Sequence, residues 1–214
     1  MNRRATVSVA AAAPQMARSI LIGSERGLRL PIVYNTNAYD SVEVLRLLNG
    51  IVDVYLPDLK YAENDAGYLY SKVKGYKDYS RLAIAEMYRQ TGDELVFGDD
   101  GLLKRGLVIR LLVLPNDIGG VRESLEWIRD ELSPRVAVSL MAQYYPTNVA
   151  GTNPRYVLLS RRLRESEWLR AVSALDEVGV SEGWMQEFDG AAYYYRPDFS
   201  DSNTPFKDIR DFGS

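Results

Sequence analysis

Three charged residues stand where they could do chemistry. Asp58 and Lys60 are two apart at the end of an apolar run, Ile51-Val52-Asp53-Val54-Tyr55-Leu56-Pro57-Asp58-Leu59-Lys60. On a strand, residues two apart share a face. Arg110 lies inside a second run, Gly106 to Leu114, with Ile109 and Leu111 on either side. A buried guanidinium needs an anion, and a strand-end carboxylate such as Asp58 would supply one. Two readings stand together. One is a structural salt bridge at a strand end. The other is a ligand site at the C-terminal end of parallel strands, where α/β folds build them.

Composition narrows the chemistry further. The chain has 214 residues with no Cys and no His. Disulfides, thiolate metal sites, histidine general bases and Ser-His-Asp catalysis are therefore excluded for these residues. Carboxylates, Lys, Tyr, Ser and Thr remain, together with any bound cofactor. At 46% hydrophobic and 26% charged, the composition is that of an ordinary globular domain. The net charge of -3 speaks against a general nucleic-acid or membrane-surface binder. No apolar run approaches the ~20 residues of a spanning helix, and a cytoplasmic location is expected.

The elements that must position these residues alternate between strand and helix. A helix is expected from Pro14 to Gly27, then a short strand from Leu30 to Tyr34 ending in the polar turn Asn35-Thr36-Asn37. Asp40-Ser41 can cap a helix that ends at Asn49-Gly50, before the Asp58 strand. A polar, Tyr-rich stretch from Glu63 to Gly75 is followed by a helix from Asp78 to Gln90. Glu94 to Phe97, with Gly98-Asp99-Asp100-Gly101, reads as a hairpin. The Arg110 strand ends at Pro115-Asn116. Gly119-Gly120 opens a helix carrying Val121, Leu125, Ile128 and Leu132; these glycines suit a plain turn better than a phosphate loop. A strand from Arg135 to Ala142 ends at Gln143-Tyr144. A helix lined by Trp168, Ala171, Leu175 and Val178 and a short strand from Trp184 to Phe188 complete the series.

Unbroken apolar strands separated by helices mean a parallel sheet covered by helices. The expected fold is α/β, an incomplete TIM-like partial barrel of about five parallel strands with outer helices. Residues 1–13 are expected to be a disordered or miscalled leader. Arg3-Arg4 before Ala10 to Ala13 has the basic start of a signal peptide, but its apolar segment is weak. Residues 14–214 form the barrel, with an aromatic tail from Gly190, including Tyr193-Tyr194-Tyr195, wrapped over it as coil. The first helix lacks a strand before it, as though a βα unit were missing its first half.

Several segments carry a resemblance when taken in order: Leu30-Pro31-Ile32-Val33-Tyr34-Asn35-Thr36-Asn37, Val54-Tyr55-Leu56-Pro57-Asp58-Leu59-Lys60-Tyr61, Leu107 to Asn116, Ser139 to Tyr144, and Arg196-Pro197-Asp198-Phe199. Together they resemble the radical S-adenosylmethionine proteins of the pyruvate formate-lyase activating enzyme-like group, over about Pro14 to Phe206. The resemblance implies a partial (β/α)6 barrel. It also implies a Cys-x3-Cys-x2-Cys loop holding a [4Fe–4S] cluster that cleaves the cofactor to a radical. In the activating enzymes that radical abstracts hydrogen from a glycine of a partner protein. The present chain departs from the group at that point, having no Cys. By resemblance, Asp58, Lys60 and Arg110 contact the methionine end of S-adenosylmethionine. Gln143 stands where some activating enzymes have a His. Asn35, Thr36 and Asn37 match a strand-end Asp-Thr-Asn-Gly.

The expectation that follows is a truncated or cluster-less radical S-adenosylmethionine protein retaining the cofactor-holding wall. Its partner would be a protein substrate or a Cys-bearing N-terminal piece. A cluster-free module binding a nucleoside or amino acid is the alternative. A Lys-dependent lyase is a third reading, weakened because Asp58 beside Lys60 works against the neutral amine that Schiff-base chemistry requires. Without thiolates, anaerobic reconstitution is expected to yield no stoichiometric [4Fe–4S] centre. An unpaired strand edge at Leu30 to Tyr34 should also promote self-association. Iron and sulfide analysis with light scattering on the same sample checks both; a stoichiometric cluster in a monomer would overturn them.

Overall fold

The computed structural model describes residues 7–8 and 13–188. The elements run β1 (Val7–Ser8), α1 (Ala13–Glu25), β2 (Ile32–Thr36), α2 (Val42–Leu47), β3 (Val54–Leu59), α3 (Asn64–Ser71) and α4 (Tyr76–Thr91). They continue with β4 (Val96–Phe97), β5 (Leu103–Leu112), α5 (Val121–Glu131), β6 (Ala137–Met141), α6 (Val149–Thr152), α7 (Glu165–Val178) and β7 (Gly183–Met185). The aromatic tail with Tyr193-Tyr194-Tyr195 and Arg196 to Phe199 lies outside the described residues.

The sheet order is β1-β2-β3-β5-β6-β7, every neighbouring pair parallel, with β4 folded back antiparallel onto β5 as the expected hairpin. This is a parallel sheet of about five principal strands flanked by helices, matching a partial TIM-like barrel. Two expectations need correction. The leader is not wholly without structure, because Val7–Ser8 pairs with Ile32–Val33. It thereby supplies a short strand before α1 and covers part of the edge expected to be bare.

Burial alternates along β2 and through the C-terminal halves of β3 and β5, although the sequence reads as continuous apolar runs. Ile32, Tyr34, Tyr55, Leu59, Ile109, Leu111, Val138 and Leu140 are buried. They join Leu45 of α2, Ile84 and Met87 of α4, Leu125 and Ile128 of α5 and Trp168 of α7 in one core. The intervening residues, Val33, Asn35, Leu56, Asp58, Arg110, Leu112 and Ser139, are only half-buried and share the other face. On that second face Val54, Val108 and Ala137, nearer the strand starts, are buried as well, whereas the first face is covered by helices along its length. That face carries most of the burial energy, and the opposite face is free to carry charge.

Local signals place the helices. Ser41 caps α2 by accepting from the Val44 N–H at 3.4 Å. Asp40, its expected co-cap, instead takes the Tyr34 hydroxyl at 2.9 Å and the Thr36 hydroxyl at 2.5 Å. The buried Gln90 side chain of α4 bonds the Tyr55 hydroxyl at 2.6 Å and the Leu45 carbonyl at 2.8 Å, tying helix to strand. No helix among the described residues is long and apolar enough to cross a membrane.

The two-faced sheet makes a direct prediction. Ile109→Ala, on the sealed face, should cost about 2–5 kcal/mol. Leu56→Ala, on the half-buried face, should cost about 1 kcal/mol or less. Urea denaturation of both variants checks the ranking; equal losses would contradict the assignment of the faces.

Candidate functional site

β3 and β5 pair so that Asp58 stands directly opposite Arg110, and β6 continues the row with Ser139 opposite Arg110. Residues paired across a sheet share a face, so Asp58, Arg110 and Ser139 lie side by side on the half-buried one. Lys60, two residues beyond Asp58, returns to the same carboxylate. Its Nζ donates to Asp58 Oδ2 at 2.8 Å and to Asn37 Oδ1 at 2.6 Å. Arg110 Nη2 lies 2.5 Å from Asp58 Oδ1 and donates to Asn35 Oδ1 at 2.5 Å. The three charged side chains are 20–28% exposed, neither dry nor freely solvated.

The group is not fully satisfied. The Asp58 Oδ1–Arg110 contact is short, yet it lacks the alignment of a hydrogen bond, and Asp58 Oδ1 has no hydrogen-bond partner. Arg110 Nε is buried without any partner. Two cations share one carboxylate, which leaves a single positive charge in excess. Such an arrangement can accept an added carboxylate on Lys60 and Arg110. It can also offer Asp58 and the two Asn carbonyls to an ammonium.

The other expected residues are distributed differently. Asn35 and Asn37 belong to the group. Thr36 does not, because the strand runs through it and alternation turns it to the helix side. There its hydroxyl donates to Asp40 and accepts from the Ala38 N–H at 3.2 Å. Gln143 donates to Met141 Sδ at 3.3 Å and shares no hydrogen bond with the Asp58 group. Gly119 and Gly120 are a packed turn. The Gly119 carbonyl accepts from the Ala62 N–H at 2.9 Å, and Gly120 has φ +61. A Cβ at Gly120 would lie 2.7 Å from Ala62 Cβ, so close backbone approach explains the pair.

Two residues at the strand ends went unseen in the sequence. Tyr76, at the start of α4, places a buried hydroxyl against the backbone of Asn37, Asp58 and Lys60. No sequence signal joins it to residues sixteen to thirty-nine positions away. Glu167 of α7 is buried and fastens the loop after β5. It accepts from the Asn116 N–H at 2.7 Å, the Arg164 N–H at 2.9 Å and both Arg161 Nη atoms at 2.8 and 2.7 Å. The Glu three residues after Arg164, at the helix start, was the available signal.

No family model matches the chain. An uncharacterized protein of Methanocaldococcus jannaschii is 33% identical over 152 residues, which is 71% of this chain. The chain spans 39% of the length of that relative. Among solved structures, a domain of a pyruvate-formate lyase-activating enzyme from Bacteroides vulgatus superposes with a TM-score of 0.53 at 13% identity. The match covers 85% of this chain and 98% of that domain. The likeness is one of fold: the same parallel sheet with flanking helices.

Glu167 gives this end of the barrel a pH dependence. The Arg161 guanidinium, with the Asn116 and Arg164 N–H groups, holds its carboxyl at about 2, below an ordinary 4.5. A depressed carboxylate stabilises the fold above its unfolded value and loses that contribution as the pH falls through the folded one. The thermal midpoint should therefore decline between about pH 4.5 and 2. Glu86, also held at about 2, chiefly by Arg89, contributes in the same window. Glu167→Gln should lower the midpoint at neutral pH and flatten the acid decline. Thermal scans across that range check it, and an unchanged slope would refute it.

Proposed function

We propose that Asn35, Asn37, Asp58, Lys60 and Arg110 form the methionine-binding wall of a radical S-adenosylmethionine protein related to the pyruvate formate-lyase activating enzymes. The observation that carries the reading is the buried, unpartnered Arg110 Nε within a charged group on the half-buried face, where one carboxylate, Asp58, is paired with two cations. The methionyl end of S-adenosylmethionine bears an ammonium and a carboxylate. Lys60 and Arg110 would take the carboxylate, and Asp58 with Asn35 would take the ammonium. The position, at the C-terminal ends of parallel strands, is where barrels of this kind hold ligands. The fold likeness to the Bacteroides vulgatus domain supports the same reading.

The group's own chemistry is one-electron cleavage at a [4Fe–4S] cluster. Its thiolate ligands have no counterpart here, since the chain contains no Cys. Among the described residues no cluster of acidic side chains is placed to hold a metal either. The donor set does not fit an iron–sulfur centre, and any thiolates would come from another polypeptide segment. The part proposed for these residues is binding and orientation. Lys60 is not proposed as a Schiff-base nucleophile: Nζ already donates to two acceptors and would have to give up both.

Isothermal calorimetry tests the proposal. S-Adenosylmethionine and S-adenosylhomocysteine should both bind, and Asp58→Ala or Lys60→Ala should abolish the signal. Methionine alone should bind more weakly at the same residues. Absence of heat at millimolar S-adenosylmethionine would refute the proposal, and binding that survives both substitutions would move the site elsewhere.

A further inference from the structure

The β2–β3 ladder ends at Thr36 and Pro57, one residue before Asn37 and three before Lys60, whose side chains meet at the site. Past that point the strands no longer bond each other directly at Asn37 and Lys60. The Tyr76 hydroxyl lies between them. It accepts from the Lys60 N–H at 3.0 Å and lies 2.9 Å from the Asp58 carbonyl and 3.1 Å from the Asn37 carbonyl. The two carbonyls compete for its one proton. A phenol oxygen in this place substitutes two hydrogen bonds in series for the single direct one that a continued ladder would make.

The ring itself has little freedom. It is 3% exposed. Tyr39 stacks on it with centroids 6.3 Å apart and planes 6° from parallel, and Tyr61 meets it edge-on at 5.4 Å. A Cβ at Gly67 would stand 2.6 Å from Tyr76 Cβ, so α3 keeps a glycine where the ring enters. Burial raises the phenol well above its ordinary value, which keeps the hydroxyl protonated and a donor.

We infer that Tyr76 is a positioning residue: its hydroxyl spaces the ends of β2 and β3 so that Asn37 Oδ1 meets Lys60 Nζ, and it thereby sets how firmly the site grips an amino-acid carboxylate. Tyr76 touches no ligand itself. It acts through the Lys60 and Asn37 backbones, and the inference rests on the reading of the site as an amino-acid-binding wall.

The test compares Tyr76→Phe with Tyr34→Phe. Tyr34 is 4% exposed, its hydroxyl bonds Asp40 at 2.9 Å, and it points to the sealed face. Each variant removes one buried hydroxyl, and thermal scans should show losses of similar size. Calorimetry with S-adenosylmethionine should show about tenfold weaker binding for Tyr76→Phe and no change for Tyr34→Phe. A second readout needs no ligand: acetylation of Lys60 by acetic anhydride, followed by peptide mass spectrometry. Its rate should rise severalfold in Tyr76→Phe, and also in Gly67→Ala, which displaces the ring while keeping the hydroxyl, but not in Tyr34→Phe. If the wild type binds no ligand yet the acetylation rates separate as stated, the functional reading fails and the positioning role stands. If Tyr76→Phe matches wild type in acetylation, the positioning role is overturned whatever the ligand result.

Discussion

Asp58 and Arg110 face each other because β3 and β5 pair in one register, and most of the site follows from it. Tyr55 pairs with Leu107 and Leu59 with Leu111 on the sealed face, all of them buried in the core. A slip of β5 by one residue would turn Leu107 and Leu111 to the open face and Arg110 into the core. The hydrophobic pattern thus enforces the position of the charges. No attraction between the charges is needed to set the register, and the ion pair forms between groups already held opposite each other.

That order of causes bears on what the charges contribute. A partly buried ion pair recovers in Coulomb energy roughly what it loses in hydration, so it is a weak source of stability. Here the geometry is not arranged to maximise that return. Arg110 contacts Asp58 without an aligned hydrogen bond and leaves Nε unpartnered. Arg161 and Glu167, by contrast, bond through both guanidinium Nη atoms, with two further N–H groups on the carboxylate. Glu167 is thus a saturated carboxylate that holds a loop, whereas Asp58 stands between two cations beside the unpartnered Arg110 Nε. The binding role proposed for the Asp58 group draws on that difference.

The sequence showed much of this where the rule was local. Period-two spacing placed Asp58 and Lys60 together, and the apolar run around Arg110 pointed to an anion, which proved to be Asp58. Asn35-Thr36-Asn37 read as one polar turn, but the strand continues through Thr36, and parity separates Thr36 from its two neighbours. Continuous apolar runs suggested buried strands in a parallel sheet covered by helices; half-burial of Leu56 and Leu112 shows that an apolar residue need not be a covered one. Val7–Ser8 was hidden because two residues are too short for any periodicity to register. Tyr76 was hidden for another reason. Its role depends on where α4 begins relative to the ends of β2 and β3, which is a tertiary fact with no local trace.

The strand ends are held from behind at two places. On one side Tyr76 binds the backbone of β2 and β3 where their ladder stops. On the other, Glu167 binds the Asn116 N–H just after β5, and Asn116 in turn donates to the Leu158 carbonyl at 2.7 Å. Both anchors come from helices on the sealed face, and both grip backbone, which leaves the side chains of Asn37, Asp58, Lys60 and Arg110 turned the other way. Asn116 adopts φ +59 and Asp117 φ +55, uncommon values for residues with a Cβ, and the Glu167 bond holds the first of them in place. A sheet fixed on one face in this manner can present charged side chains on its other face with little freedom to collapse onto each other. That restraint preserves unpartnered atoms such as Arg110 Nε in a fold that would otherwise gain by pairing them.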